Sequence, residues 1–397
     1  MIGLKSILHY LEIEEIGWLE FVIALYPILA GYGYGSFQLA FGVLFILDIF
    51  ILLSRQKKYL NNTVLKILFT FIVIHDILYM AIIPEIKSYY VNSLIATVIY
   101  VVSVFVIAPH LDYKKLKSSI MIVAMVCMGG MIYHVLLISM GQSVSPIKLP
   151  FLPELAKTSR LFSINERPTS FFWEPQSYAS FMLVPLFFML REKKMILAFI
   201  IAATMFISTS TTGLVLSVLM FAISLTDKKT GWLVKALGVI SVGLLIYFLL
   251  NSAYTAGSLE KLEGTNLEES NRVINGYLIA TDLSFSDFLF GIPFANEQDA
   301  YDLGYFHVPL IVMADGVLFI SAIWVSLIRY GVICTIIFLF SYYKLYKMDS
   351  RIFPYLICIL VALFSNPDFI GSSYVFQLLI MLTVIRYDNS HQLNKIV

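Results

Sequence analysis

The chain has 397 residues, 59% hydrophobic and 13% charged, with a net charge of +1 and a mean hydropathy of +0.85. Soluble domains carry about 25% charged residues; half that charge cannot clothe a water-facing globule, and the alternative solvent is lipid. The near-neutral balance excludes a nucleic-acid footprint, which needs a dense basic face, and three cysteines set in apolar runs (Cys127, Cys334, Cys358) imply neither a disulfide framework nor a thiolate metal site.

Lys5 is the only early cation, and Glu12, Glu14 and Glu15 follow it without a small-residue cleavage site. The first apolar run therefore reads as a permanent span rather than a cleaved signal. Clusters of Lys and Arg then punctuate the apolar runs, and such clusters collect on the cytoplasmic side. They are Arg55-Lys57-Lys58, Lys114-Lys115-Lys117, Arg191-Lys193-Lys194, Lys228-Lys229, Lys344-Lys347-Arg351 and Arg386 with Lys395. Each interval between clusters must hold an even number of spans.

The first pair is expected near 17–33 and 36–53, around the Gly-Tyr-Gly-Tyr-Gly turn at 31–35, and the second near 64–83 and 89–108, turning at Pro84-Glu85. A span near 118–139 is followed by a long polar stretch and a return near 175–190. Residues 195–225 form two short apolar helices around Ser208-Thr209-Ser210-Thr211-Thr212-Gly213. After a span near 232–250 comes a polar region to about 306. One crossing near 328–346 follows, and 308–326, which carries Asp315, is treated as interfacial or re-entrant so that Lys344, Lys347 and Arg351 stay inside. The last pair runs near 352–364 and 372–385. The expectation is an all-α polytopic membrane protein of about twelve transmembrane helices, a single membrane-embedded domain over 1–397 with both termini cytoplasmic. Most extracytoplasmic polarity falls in two loops, about 140–174 and 251–327. Long loops carry function, whereas transporters keep their polar groups at midplane between repeated halves.

Loop 140–174 ends in Arg167-Pro168-Thr169-Ser170-Phe171-Phe172-Trp173-Glu174-Pro175. Its aromatics suit a membrane interface, and Pro175 suits the first turn of a helix. Arg167 and Glu174 then sit at the mouth of the bundle, either as an interfacial salt bridge or as part of a site. Asp48, His75-Asp76, His134 and Lys235 lie within spans, and intramembrane ionisable groups are functional candidates by default. A proton relay through His75, Asp76 and His134 is the best support for a rival class, a flippase or proton-coupled transporter. Against it, adjacent residues point to different helix faces, and Lys235 can snorkel inward.

An Arg, a small-aromatic stretch and then Glu-Pro opening an apolar helix resemble the motif of Wzy-type polymerases of O-antigen and capsular polysaccharide, within the O-antigen ligase/polymerase superfamily. Three further features match in the same order. The tip Ser208–Gly213 resembles the family's Ser-rich hairpin. Asn271-Arg272-Val273-Ile274-Asn275-Gly276 followed by Phe290-Gly291-Ile292-Pro293 resembles the Arg-containing helix and turn of its large outer loop. The segment from Ser321 to Val332 resembles the lead into the next helix. Together these cover about 160–345.

The resemblance implies a metal-independent integral-membrane glycosyltransferase of the bacterial cytoplasmic (inner) membrane, with no cofactor. It would join undecaprenyl-diphosphate-linked repeat units into lipopolysaccharide O-antigen or capsule on the outer face. Its partners would be the lipid-linked glycan, the bilayer, a chain-length regulator and a flippase, with no nucleic acid. The family's paired arginines match Arg167 and Arg272. Guanidinium groups suit a diphosphate leaving group, being planar, permanently charged and able to bind phosphate oxygens through two parallel hydrogen bonds. Glu174 is the first candidate for the general base, its aromatic and poorly hydrated setting favouring proton uptake; it alternatively orients Arg167. His307 and Asp315 are alternatives on the second loop. Where the ligases and some polymerases place a His-Asn pair, this chain has Ile320-Ser321, which argues against a histidine-based mechanism and a ligase. Arg329 and Arg160 are candidates either to meet lipid phosphates or to add cations to the substrate site. Ser210 and Thr211 are candidates to offer hydroxyl and N–H groups to the same phosphates.

Overall fold

The computed structural model describes residues 15–34, 37–54, 58–83, 86–152, 167–225, 271–292, 297–307, 320–365 and 369–393, with isolated positions between 231 and 247. In chain order these form α1 (Trp18–Leu29), β1 (Gly33–Tyr34), β2 (Phe37–Gln38), α2 (Leu39–Leu53), α3 (Thr63–Ile82), α4 (Ser88–Ile107) and α5 (Tyr113–Ser139). Then come α6 (Pro175–Arg191), α7 (Met195–Ile207), α8 (Thr211–Leu225), α9 (Asn271–Asp282), α10 (Phe285–Phe290) and α11 (Glu297–Asp302). The remainder are α12 (Ala322–Met348), α13 (Phe353–Ala362) and α14 (Ser372–Leu393). β1 and β2 pair antiparallel, Gly33 opposite Gln38, and make the turn of the first helical pair.

Among the described residues four helices are long and apolar enough to cross a membrane: α3, α4 with the 3₁₀ turn that ends it at His110, α5 and α12. The fold is that of an α-helical membrane protein. Large apolar side chains such as Ile46, Phe50 and Leu53 of α2 and Ile74, Ile77 and Leu78 of α3 point outward, while Asp48, His75 and Asp76 of the same helices are buried. That inversion suits a lipid solvent, in which each helix satisfies its own backbone and polar side chains need internal partners. The expected crossing near 232–250, apart from a few positions, and the segment 308–319 lie outside the described residues.

Two compact units divide the chain, Met1–Val43 with His110–Gly264, and Leu44–Pro109 with Thr265–Val397. In the first, α5 is the longest element. Asp112 caps it, its carboxylate accepting from Lys115 N at 3.1 Å, while Asp112 N donates to Glu20 Oε1 at 2.8 Å and so ties α1 to the start of α5. α6 packs against α5, α7 and α8. Its side chains from Tyr178 to Leu190 are almost all buried. A Cβ added at Gly213 would lie 2.6 Å from Ala179 Cβ, so the start of α8 rests directly on α6. At the other end of α6, buried Lys117 pairs with Glu192, Lys194 reaches the same carboxylate at 3.0 Å, and the Arg191 guanidinium lies 5.8 Å over the Tyr113 ring. Two basic clusters separated in sequence thus meet at one end of the α5–α6 pair.

In the second unit α3 packs on α4 and α12, and α14 on α4. Phe69, Phe338, Phe369 and Tyr374 form an aromatic seam between them. Arg386 Nη1 donates to Ala108 O at 2.9 Å, and Arg351 bridges Asp349 and Asp388 at 2.9 and 3.1 Å. A separate small core of Ile279, Ile292, Ala300, Phe306, Ile320 and Ile328 seats α9, α10 and α11 on the first turns of α12.

Three boundaries differ by five residues or more: α5 starts at Tyr113, α14 runs on to Leu393, and α12 starts early. The helix expected at 328–346 begins at Ala322, so residues 322–327 belong to it rather than to the preceding loop. The helix is broken at Gly331, where φ is +78°. A non-glycine residue would be strained there, and its Cβ would lie 2.2 Å from Leu289 O. The carbonyl of Ile328, which the break leaves without its helical donor, accepts from Ile292 N at 2.9 Å instead.

Candidate functional site

In the first unit, two motifs that are separate in sequence come together, and His134 anchors one of them. The segment 167–174 lies against α5 because His134 Nδ1 accepts from both Thr169 N and Ser170 N, at 3.2 and 3.3 Å. Two donors on Nδ1 leave the imidazole hydrogen on Nε2, so His134 serves as an anchor for this loop. Ser170, at φ +56°, donates from Oγ to Cys127 O at 2.7 Å, and its carbonyl accepts from Ile147 N at 2.8 Å. Phe172 is not an interfacial anchor. It is buried against Tyr178 and Phe181, with ring centroids 5.8 and 5.5 Å away.

Pro175 opens α6 as expected, with Glu174 at its N-cap. The Glu174 side chain does not cap the helix backbone; its Oε1 accepts from Ser177 Oγ at 3.3 Å. Arg167, half-buried, reaches over to the hairpin tip between α7 and α8. Its Nε donates to Thr209 Oγ1 at 2.8 Å, and its Nη2 donates to the Thr209 carbonyl. Burial pulls the guanidinium below the ordinary arginine pKa and the nearby Glu174 carboxylate opposes that shift, so Arg167 stays charged at any physiological pH.

α7 and α8 have 13 and 15 residues, so at 1.5 Å per residue they are about 20 and 22 Å long, less than the ~30 Å of a hydrocarbon core. At their junction Thr209 has φ +56°. Ser208 Oγ donates to Met205 O at 2.6 Å, and Ser210 Oγ accepts from Gly213 N at 3.2 Å. Both hydroxyls therefore help to shape the tip, Ser210 through its oxygen as the cap of α8, which leaves its O–H able to donate. Thr211 is the first residue of α8, at the positive end of that helix. A permanent cation thus stands beside a helix N-terminus, where an anion offsets its charge, and the Glu174 carboxylate is near enough to do so.

This arrangement makes a first prediction. Thr209→Val keeps the side-chain shape and removes the hydroxyl that accepts from Arg167. Loss of a charge-assisted hydrogen bond costs about 1.5–3 kcal/mol, read as a lower thermal-unfolding midpoint in detergent; an unchanged midpoint would mean that this bond does not anchor Arg167.

The second unit holds another polar cluster. Arg329 Nη2 donates to Asp76 Oδ2 at 2.9 Å and lies 3.3 Å from Ser93 Oγ, with the guanidinium 5.0 Å from the Tyr330 ring centroid. Tyr330 Oη donates to the same Asp76 oxygen at 3.3 Å. His75 is wedged between Tyr79 and Tyr330, at centroid distances of 4.3 and 4.9 Å. Its Nδ1 is 3.5 Å from Asp76 Oδ1. His75, Asp76, Tyr79, Tyr90 and Arg329, with Met80 and Ile83, line a cleft. Arg329 therefore does not snorkel toward lipid phosphates from a helix end: it stands eight residues into α12 and is paired inside the unit. His75 and Asp76 are both buried despite being adjacent. His134 belongs to the other unit and is occupied by Thr169 and Ser170, which removes its Nδ1 from any relay.

Of the other expected site residues, His307 is exposed, its backbone N donating to Asp282 Oδ2 at 2.6 Å and its Nδ1 3.9 Å from that oxygen. The backbone of Arg272 forms the second residue of α9. Arg160 and Asp315 lie outside the described residues. Among the described residues no three His, Cys, Asp or Glu side chains converge as a metal site would require. Sequence reasoning missed Tyr79, Ser93 and Tyr330, ordinary residues within apolar helices; the one available signal was that a buried Asp in a span requires a partner. The sequence matches no protein-family model, and no curated protein or solved structure is significantly similar to it.

Proposed function

We propose that the chain is an integral-membrane glycosyltransferase that polymerises undecaprenyl-diphosphate-linked repeat units into O-antigen or capsular polysaccharide on the outer face of the bacterial cytoplasmic membrane. The observation that carries the reading is the meeting of Arg167, Glu174 and the 208–213 tip at the N-terminus of α8. A half-buried guanidinium beside a helix N-terminus favours a phosphate there, in addition to the Glu174 carboxylate already near it. Thr209 takes two of the five guanidinium N–H groups, and the others are assigned to a diphosphate oxygen. The neighbouring carboxylate of Glu174 takes the acceptor hydroxyl proton, or else keeps Arg167 oriented. The topology that goes with this reading has about twelve spans, both termini inside and the 167–174 and 208–213 segments toward the outer leaflet.

In this scheme the sugar hydroxyl attacks the anomeric carbon while its bond to the diphosphate breaks. The protein's contribution is to hold the charge that builds on the leaving oxygens. Such preorganised donors act most strongly where water is scarce.

Arg272, on α9 of the second unit, is assigned a role in polymerisation on the family resemblance alone. Arg272→Ala is expected to convert long-chain surface glycan into single repeat units, read as collapse of the ladder on a gel. Retained long-chain polymer would refute the role of Arg272. Single units that still reach the surface distinguish a failed polymerase from a failed flippase, which delivers nothing outside.

A further inference from the structure

His75 and Tyr79 stand one turn apart on α3, four positions that share a helix face. Toward that face the turn after α10 presents two consecutive carbonyls. His75 Nε2 is 3.0 Å from Phe290 O, and Tyr79 Oη donates to Gly291 O at 2.5 Å. A carbonyl only accepts, so the contact to Phe290 requires the imidazole hydrogen on Nε2. Gly291 has φ +85°, and a Cβ there would lie 2.2 Å from Arg329 O. Only glycine lets the chain turn in this conformation and this close to α12.

The same turn donates from Ile292 N to Ile328 O, and three residues before the helix break Ile328 is part of the small core that seats α9 and α10. Asp76, adjacent to His75, holds the side chain of Arg329, whose carbonyl the Gly291 turn approaches. α3 therefore grips both partners of the junction through side chains: the broken helix by Asp76, and the incoming loop by His75 and Tyr79.

We infer that His75 and Tyr79 are positioning residues, a two-point clasp on the Phe290 and Gly291 carbonyls that sets where α9 and α10, and with them the backbone of Arg272, sit on the second unit. The link to Arg272 chemistry rests on the polymerase reading; the clasp itself does not. A side-chain clasp of this kind is open to single-atom tests, because Tyr79→Phe removes one donor and His75→Leu removes the other without adding bulk.

The test is amide hydrogen exchange on the full-length protein in detergent, with the surface-glycan ladder recorded for the same variants. Tyr79→Phe and His75→Leu are expected to speed exchange across 285–292 by about tenfold or more, as local opening becomes easier, with α5 and α6 unchanged and the ladder shortened. His75→Gln, whose amide donates from nearly the same place as Nε2, is expected to restore slow exchange and the ladder together. Parental exchange at 285–292 in both Tyr79→Phe and His75→Leu overturns the clasp. So does a His75→Gln variant as defective as His75→Leu, because the imidazole would then be needed for more than donation to a carbonyl. Faster exchange with an intact ladder in Tyr79→Phe and His75→Leu supports the clasp and detaches it from polymer formation; an intact ladder in Arg272→Ala as well refutes the role of Arg272.

Discussion

Arg167→Ala is expected to erase the long-chain ladder of the surface glycan. Removal of one preorganised donor to a developing oxyanion costs about 2.7–4 kcal/mol of barrier, which is roughly 100- to 1,000-fold in rate. Part of any effect will be structural, because Arg167 also holds Thr209 at the hairpin tip. Thr209→Val sets a bound on that part: it removes one of the two Arg167–Thr209 bonds and keeps the guanidinium. Arg167→Lys is a second discriminator, since an ammonium keeps the charge and lacks the planar fork that spans Thr209 and a phosphate oxygen at once. The expected order of polymer yield is parent, then Thr209→Val, then Arg167→Lys, then Arg167→Ala. An Arg167→Ala protein that reaches the membrane in normal amount and polymerises within tenfold of the parent would remove Arg167 from the site.

Asp76→Ala is expected to destabilise the protein by about 3–5 kcal/mol, because truncating one member of a buried ion pair leaves the other charge uncompensated. Arg329 is 16% exposed and Asp76 6%, so water can do little to relieve the orphaned guanidinium, and an apolar surround makes its position worse. The loss is expected as a lower unfolding midpoint in detergent and lower yield from the membrane. Replacing both partners, Asp76→Leu with Arg329→Met, is expected to recover much of that loss, since a buried pair exchanged for apolar groups of similar volume is often close to neutral. A double variant no better than Asp76→Ala would mean that the carboxylate holds the Arg329–Tyr330 segment chiefly through its bond to Tyr330. An Asp76→Ala protein as stable as the parent would mean that the pair does not secure the broken helix.

Much of the helical framework is legible in the sequence alone. The starts of α3, α4, α6 and α14 fall within a residue of the positions expected from hydropathy and basic clusters, and Pro175 opens α6 where its missing N–H costs least. The short hairpin around 208–213 is legible from its Ser-Thr run between apolar stretches. Where sequence and fold part, a local rule meets a tertiary exception. The cost of charge inside a span predicts Arg329 at a helix end; α12 instead begins seven residues earlier, at Ala322, and carries the charge inward to Asp76. The gathering of aromatics at interfaces predicts Phe172 there, yet two neighbouring rings enclose it. The Ser-Thr run marks Ser210 as a candidate to meet phosphate, and only the fold shows that its oxygen also caps α8.

By itself the sequence determined that this is a helical membrane protein and roughly where its helices lie, because lipid demands long apolar runs whose backbone is satisfied within each run. That constraint is local, and it can be read residue by residue. Only the tertiary structure decided which polar groups meet. Asp76 finds Arg329 across 253 positions of chain and Arg167 finds Thr209 across 42. Such partners are chosen by how helices pack and where glycines such as Gly291 and Gly331 let the backbone turn close to another helix, and no local propensity encodes that choice.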